Sequence, residues 1–170
     1  PHKHMLNACL NYDYKHYFNN LEITMDTSEK TLGALTTRVM AMHGNTNPSG
    51  DIFGGWVLSQ MDIAAGICAG QRAQSRVVTV SLESMSFIRP VKVGDILGVY
   101  TRVIHIGNTS MTINVEAWVR RDRIGNREKV TEGNFKFVAL DDDGKPKPIP
   151  AESELPSYVL EKNVTQESTR

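Results

Sequence analysis

The chain is short of cysteine, of net charge and of long apolar runs, and each shortage removes a class of protein. Its 170 residues hold only Cys9 and Cys68. Two thiols make no disulfide framework, and such usage fits a reducing compartment. No apolar run approaches the ~18 residues of a membrane span, because Gly, Gln, Asp or Arg interrupts each candidate. The expected location is cytoplasmic, with no membrane partner. Net charge is zero, from 19 basic and 19 acidic residues. A general nucleic-acid binder would be far more basic, so no nucleic-acid partner is expected.

The charges are nevertheless uneven. Residues 1–34 sum to −1, residues 35–140 to +4 and residues 141–170 to −3. A middle of +4 suits a small polyanionic ligand or an ordinary mixed surface. With 40% hydrophobic and 22% charged residues the composition is that of one soluble, globular domain.

Residues 1–33 lack sustained periodicity and read as a peripheral arm. Met5–Cys9, "MLNAC", faintly resembles a lipoprotein cleavage box, but no apolar stretch precedes it and no signal peptide is expected. His2, His4, Cys9 and His16 fit no zinc spacing, so no metal is expected. Residues 34–150 carry the regular patterns, and residues 151–170 read as a polar tail.

Leu35–Met42 has the composition of a short strand, and "HGNTNPSG" (His43–Gly50) that of a loop. In Asp51–Ala73, Phe53, Val57, Met61, Ala64, Ala65 and Cys68 recur at helical spacing. Glycine costs about 1 kcal/mol in a helix relative to alanine. A helix carrying Gly54, Gly55, Gly66 and Gly70 therefore needs close backbone approach, as when a sheet wraps around it. Strands follow over Arg76–Pro90, Gly94–Ile106, Met111–Asp122 and Lys129–Leu140. In the third of these Met111, Ile113, Val115, Ala117 and Val119 alternate with polar or outward residues. "DDDGKPKPIP" then stops ladder formation, since proline cannot donate to one. The order is β–α–β–β–β–β without repeats: an α+β domain, one long buried helix and then an antiparallel meander.

The densest chemical signal is Asn47 to Trp56, "NPSGDIFGGW". It places the Asp51 carboxylate beside a helix start with two glycines in its first turn. Unpaired N–H groups there can polarise a carbonyl, aided by the positive end of the helix dipole. The glycines let that carbonyl approach the backbone. A nearby carboxylate can activate water or attack directly. The plainer reading is that Asp51 caps the helix and the glycines serve packing.

"DIFGGW" (Asp51–Trp56), "SQMDIAAGI" (Ser59–Ile67), "RVVTVSLESMSFIRPVKVGD" (Arg76–Asp95) and "GNTSMTINVEAWV" (Gly107–Val119) closely resemble the YciA-like acyl-CoA thioesterases. The resemblance spans about residues 35–150. It implies a hotdog fold, in which an antiparallel sheet wraps one central helix, and an enzyme hydrolysing acyl-CoA to a free acid and CoA.

By that resemblance Asp51 is the catalytic carboxylate, as general base or nucleophile. Gly54, Gly55 and Trp56 supply carbonyl-polarising N–H groups, and Asn47 shapes the loop. Asp62 is the rival acid, one register further into the helix, with a polar residue at a dimer interface as its plainer role. The CoA end is expected near Arg89 and Lys92, whose charges suit phosphates, and near the turn Gly107-Asn108-Thr109-Ser110. The plainer readings are a strand-end salt bridge for Arg89 and an ordinary hairpin for the turn. Ser84 and Ser86 alternate along a strand, where one can face the thioester. His43 and His105 have no acid in register and read as structural. No cofactor is implied beyond the CoA of the substrate. The resemblance also implies a homo-oligomer, a dimer of hotdog subunits and a trimer of such dimers. Two other readings are a non-catalytic acyl-CoA-binding module and a hotdog hydratase or dehydratase. The intact Asp-Gly-Gly signal weighs against the first, and the lack of a histidine at the helix start against the second.

Overall fold

The computed structural model describes residues 31–83, 85–121 and 125–156. Five strands, β1 (Ala34–Met40), β2 (Arg76–Leu82), β3 (Ile96–Ile106), β4 (Ser110–Arg120) and β5 (Arg127–Leu140), form one sheet. Every pairing in it is antiparallel. One 20-residue helix, α1 (Gly54–Ala73), packs against all five strands. This is the hotdog arrangement, and at 1.5 Å per residue its helix is about 30 Å long.

The helix is held by its small side chains. Val57, Met61, Ala64, Ala65, Ala69 and Ala73 are buried at spacings of one, three and four, the stripe a helix offers to one packing partner. Alanine there lets the sheet come close. Gln74, at φ 49°, takes the left-handed conformation that ends the helix. Opposite lie Met111, Ile113, Val115, Ala117 and Val119, all fully buried.

The sheet order is β1-β3-β4-β5-β2, which corrects the expected simple meander. Only β3, β4 and β5 follow one another; β2 crosses to the far edge and pairs with β5. The expected strand Arg76–Pro90 also ends early, at Leu82. Beyond it, among the described residues, the backbone bonds to β5 are isolated ones, Glu83 N to Asn134 O at 3.1 Å and Ile88 N to Val130 O at 2.8 Å. Pro90 has no N–H for any further ladder. The segment is thereby freed to run past the start of α1. At the other end, the prolines after Leu140 do not stop pairing outright. Gly144, at φ 80°, turns the chain back, Leu140 and Pro146 form a bridge, and Lys147 N donates to Ala139 O. Non-proline positions thus keep the contact that prolines cannot make, and Leu155 is buried further on.

The outer face of the sheet is less polar in effect than in sequence. Glu116 and Trp118 point away from α1, yet they are 2% and 3% exposed. Lys129 Nζ lies 2.9 Å from Glu116 Oε1, and Leu32 N donates to Glu116 Oε2 at 2.8 Å. The Arg127 and Lys129 cations sit 5.9 Å and 5.8 Å from the Trp118 ring, so the indole is covered by charge rather than by a helix. Burial presses the Lys129 ammonium toward neutrality, but its bonds to Glu132 and Glu116 outweigh this and raise its pKa above 10.5.

Candidate active site

The loop before α1 is built around one side chain. Asn47 N donates to Asp51 O at 2.7 Å and Gly50 N to Asn47 O at 3.0 Å. The Asn47 side-chain oxygen accepts from Ser49 N at 2.9 Å and from Asp51 N at 3.2 Å. Gly50, at φ 88°, makes the tight reversal this requires. Phe53 N donates to Asn45 O at 2.9 Å and Ile52 N to Val91 O at 3.0 Å. The loop is therefore tied to itself and to the 87–91 segment just where the helix begins.

Asp51 does not cap the helix. The cap position is Phe53, with no side-chain cap bond, because the helix starts at Gly54 and Asp51 sits two residues too early. Its half-buried carboxylate has no hydrogen bond or ion pair among the described residues. Trp56 differs from expectation in one respect: its N–H already donates to Phe53 O at 3.0 Å. The N–H groups of Gly54 and Gly55 have no acceptor among the described residues, as the first turn of a helix leaves them. An unpartnered carboxylate and two unpartnered donors thus flank the helix start.

Asp62 is engaged. Thr79 Oγ1 of β2 donates to Asp62 Oδ1 at 2.6 Å. Arg89 is exposed; its guanidinium donates to Lys129 O at 3.0 Å and lies 3.7 Å from Glu128. That is the strand-end arrangement, although Arg89 also lines the cleft described below. Lys92 is exposed, and its backbone N donates to Asp95 Oδ2 at 2.9 Å. Ser86 is exposed and its carbonyl accepts from Thr131 Oγ1 at 2.9 Å. Ser84 lies outside the described residues, as do His2, His4, Cys9 and His16.

The Gly107–Ser110 turn is not brought to Asp51 within one chain. Gly107 N donates to Ser110 O at 2.7 Å, closing the β3–β4 hairpin, while Asn108 O and Thr109 O accept from Ile149 and Ala139. The turn stands at the far end of β3, roughly 35 Å of strand from the Ile96 end, at about 3.4 Å per residue.

Three residues that the sequence reading passed over complete the site. Phe87 packs on Gly54: a Cβ built there would lie 3.4 Å from the Phe87 ring. Asp95, 5% exposed, accepts from Lys92 N and pairs with Arg121 at 2.9 Å. Arg121 reaches on to Glu128 at 3.2 Å and to Pro90 O at 3.3 Å. This network holds the 87–91 segment beside the helix start. Its sequence signal was Gly94-Asp95, a turn with an acid placed to accept from it.

Two clefts flank α1. One of ≈ 300 Å³ opens at Gly54, with Ile52, Val57 and Val91 as its buried floor and Phe87, Ile88 and Pro90 as its wall. The larger, ≈ 710 Å³, lies at Ile67–Arg72 between the helix, β1 and β3. It is 13 residues further along the helix, about 20 Å from the loop. Cys68 lines it; burial raises its thiol pKa, opposed by a hydrogen bond from Thr101. Among the described residues no three His, Cys, Asp or Glu side chains gather as a metal set. No helix of the described residues is long and apolar enough to cross a membrane.

A helix wrapped by a sheet, with a carboxylate at its open N-terminus, defines a class, and the family model of the thioesterase superfamily matches residues 49–125. The acyl-CoA thioester hydrolase YciA of Salmonella typhimurium is 49% identical over 132 residues, 76% of this chain and 98% of its own length. That of Escherichia coli K12 is 50% identical over 123 residues, 71% of this chain and 93% of its own. Among solved structures, the hexameric thioesterase y2039 of Yersinia pestis superposes with a TM-score of 0.69 at 48% identity, covering 72% of this chain and 99% of that one. The hexameric broad-specificity acyl-coenzyme A thioesterase HI0827 gives 0.72 at 42%, covering 84% and 96%. The chain belongs to the family of YciA acyl-CoA thioester hydrolases.

Proposed function

We propose that this chain hydrolyses acyl-CoA thioesters to a free carboxylic acid and CoA, using Asp51 and the N–H groups of Gly54 and Gly55. The observation that carries the reading is the unpartnered Asp51 carboxylate held beside two unpartnered helix-start donors. The thioester oxygen accepts from Gly54 or Gly55, and the negative charge that develops there meets the positive end of α1. Asp51 takes a proton from water as the water oxygen attacks the carbonyl carbon. The C–S bond then breaks and the CoA sulfur leaves, taking up that proton. In the alternative route an Asp51 oxygen attacks first, and water hydrolyses the resulting anhydride. Single-turnover hydrolysis in ¹⁸O-water, or trapping of the intermediate with hydroxylamine, tests for the second: label in the Asp51 side chain, or a hydroxamate formed from the acyl group or at Asp51, arises by the anhydride route.

The reading extends to the assembly. β2 is a sheet edge whose Val80 and Leu82 are 51% and 38% exposed, and Ile63 of α1 is 50% exposed. Such an edge and apolar stripe suit a dimer in which two sheets join, and three dimers would give the hexamer of the solved relatives. Arg89 lines the cleft at Gly54 and its charge suits a CoA phosphate, as does that of exposed Lys92 just beyond the cleft wall. The Gly107–Ser110 turn, at the far end of β3, would serve the cleft at Gly54 from another subunit. Thiol release from a panel of acyl-CoA substrates, followed with DTNB, tests the activity. Turnover supports the proposal; binding without turnover makes the chain an acyl-CoA-binding module instead.

A further inference from the structure

We infer that Phe87 is the specificity-determining wall of the acyl site. The inference rests on the proposed thioesterase reading and adds to it a residue and a rule for substrate choice.

Phe87 is 49% exposed and Ile88 59%, two adjacent large apolar side chains that line one cleft, the kind of contiguous patch that marks a binding surface. Their backbone is not loose. Ser86 O accepts from Thr131 Oγ1 at 2.9 Å on one side of Phe87, and Ile88 N donates to Val130 O at 2.8 Å on the other. The ring is therefore carried on a clamped peptide and lies against Gly54, where a Cβ would touch it at 3.4 Å. It stands at the head of the ≈ 300 Å³ cleft whose floor is Ile52, Val57 and Val91. A thioester carbonyl placed on the Gly54 and Gly55 N–H groups would direct its acyl chain along this ring. Phe87 is the aromatic side chain among the cleft's lining residues and the one that meets Gly54, so its size sets how much acyl chain fits. The site then takes unbranched aliphatic acyl groups up to a definite length.

The test is kcat/KM across saturated acyl-CoA substrates of two to sixteen carbons, for the wild type, Phe87→Ala and Phe87→Trp. In the wild type each added methylene should raise kcat/KM about fourfold up to a break, then no further. Phe87→Trp should move the break to shorter chains and Phe87→Ala to longer ones, whatever either change does to turnover of the shortest substrate. Breaks at the same chain length in all three proteins would overturn the inference. Thermal unfolding of each variant checks that the fold persists, and Phe87→Leu serves should Phe87→Ala unfold. A wild type that hydrolyses none of the substrates contradicts the thioesterase reading rather than this one. The break is then read from calorimetric binding of the same acyl-CoA series, where an unmoved break is again the overturning result.

Discussion

Asn47 holds the Asp51 peptide at both ends, donating its N–H to the Asp51 carbonyl at 2.7 Å and accepting the Asp51 N–H on its side chain at 3.2 Å. The side chain of Asp51 is left out of this ring of bonds. The fixed backbone sets where the Asp51 Cβ stands at the helix start, while its carboxylate, without a partner among the described residues, is left available.

Asn47→Ala removes the acceptor for two backbone donors, those of Ser49 and Asp51. The loop is partly exposed, so water replaces much of what is lost and stability should fall by about 1–2 kcal/mol. Turnover should suffer more than binding: kcat down by on the order of tenfold or more, with KM changed by less than about threefold. Steady-state kinetics beside a urea melt check this. A raised KM at normal kcat would place Asn47 in substrate binding instead.

Gly54→Ala should separate stability from activity. Alanine favours a helix by about 1 kcal/mol over glycine, so Tm should hold or rise. The new methyl meets the Phe87 ring at 3.4 Å, close enough that ring or backbone yields by a few tenths of an ångström. A misplacement near 1 Å costs on the order of 100-fold, so a smaller one should lower kcat/KM by roughly tenfold. Calorimetry and kinetics on the same preparation decide it.

Asp95 is a buried carboxylate that depends on Arg121 at 2.9 Å. Arg121→Met leaves it without that cation, and breaking a buried pair costs about 3–5 kcal/mol. Because the Arg121 side chain is 28% exposed, the lower end is expected. Arg121 also donates to Pro90 O, so hydrogen exchange should quicken at Ile88 and Val91 more than in β4. Equal quickening throughout would mean general destabilisation only.

Lys129 sets a pH dependence on the alkaline side. Its folded pKa is raised above 10.5 by Glu132 and Glu116 against the opposing effect of burial. The unfolded value is about 10.4. A raised folded pKa contributes stability that is fully present below the unfolded value and is lost as pH rises through the folded one. The stability difference between wild type and Lys129→Met should therefore be flat up to about pH 10 and shrink above it. A decline already between pH 6 and 9 would assign the effect to another group.

Local pattern carried much of this fold. Of the helical spacing from Phe53 to Cys68, Val57, Met61, Ala64 and Ala65 are buried, Cys68 is half-buried, and Phe53 lies exposed before the helix; the alternation of β4 from Met111 to Val119 sorted its inward side chains correctly. What pattern could not show was partnership between distant residues. Nothing near Arg76–Leu82 says that its neighbour is β5, fifty residues on, rather than β3. Glu116 and Trp118 read as an exposed face because their covers, Leu32, Arg127 and Lys129, lie far away in sequence. The site divided in the same way. Asn47, Asp51, Gly54 and Gly55 were legible as candidates because one continuous stretch of sequence carries them all. Phe87 and Arg121 were not, because each matters only for what it meets across the fold.

The central claim is that Asp51 performs the chemistry, and acyl-CoA hydrolysis by Asp51→Ala tests it most directly, with Asp62→Ala measured alongside. Asp51 makes no cap bond, so its removal should leave Tm within a few degrees of wild type. General-base assistance contributes about 10²–10⁴-fold, and kcat should fall by that amount while Asp62→Ala keeps most of its turnover. Near-native kcat in a folded Asp51→Ala protein, with the loss appearing in Asp62→Ala instead, would contradict the account.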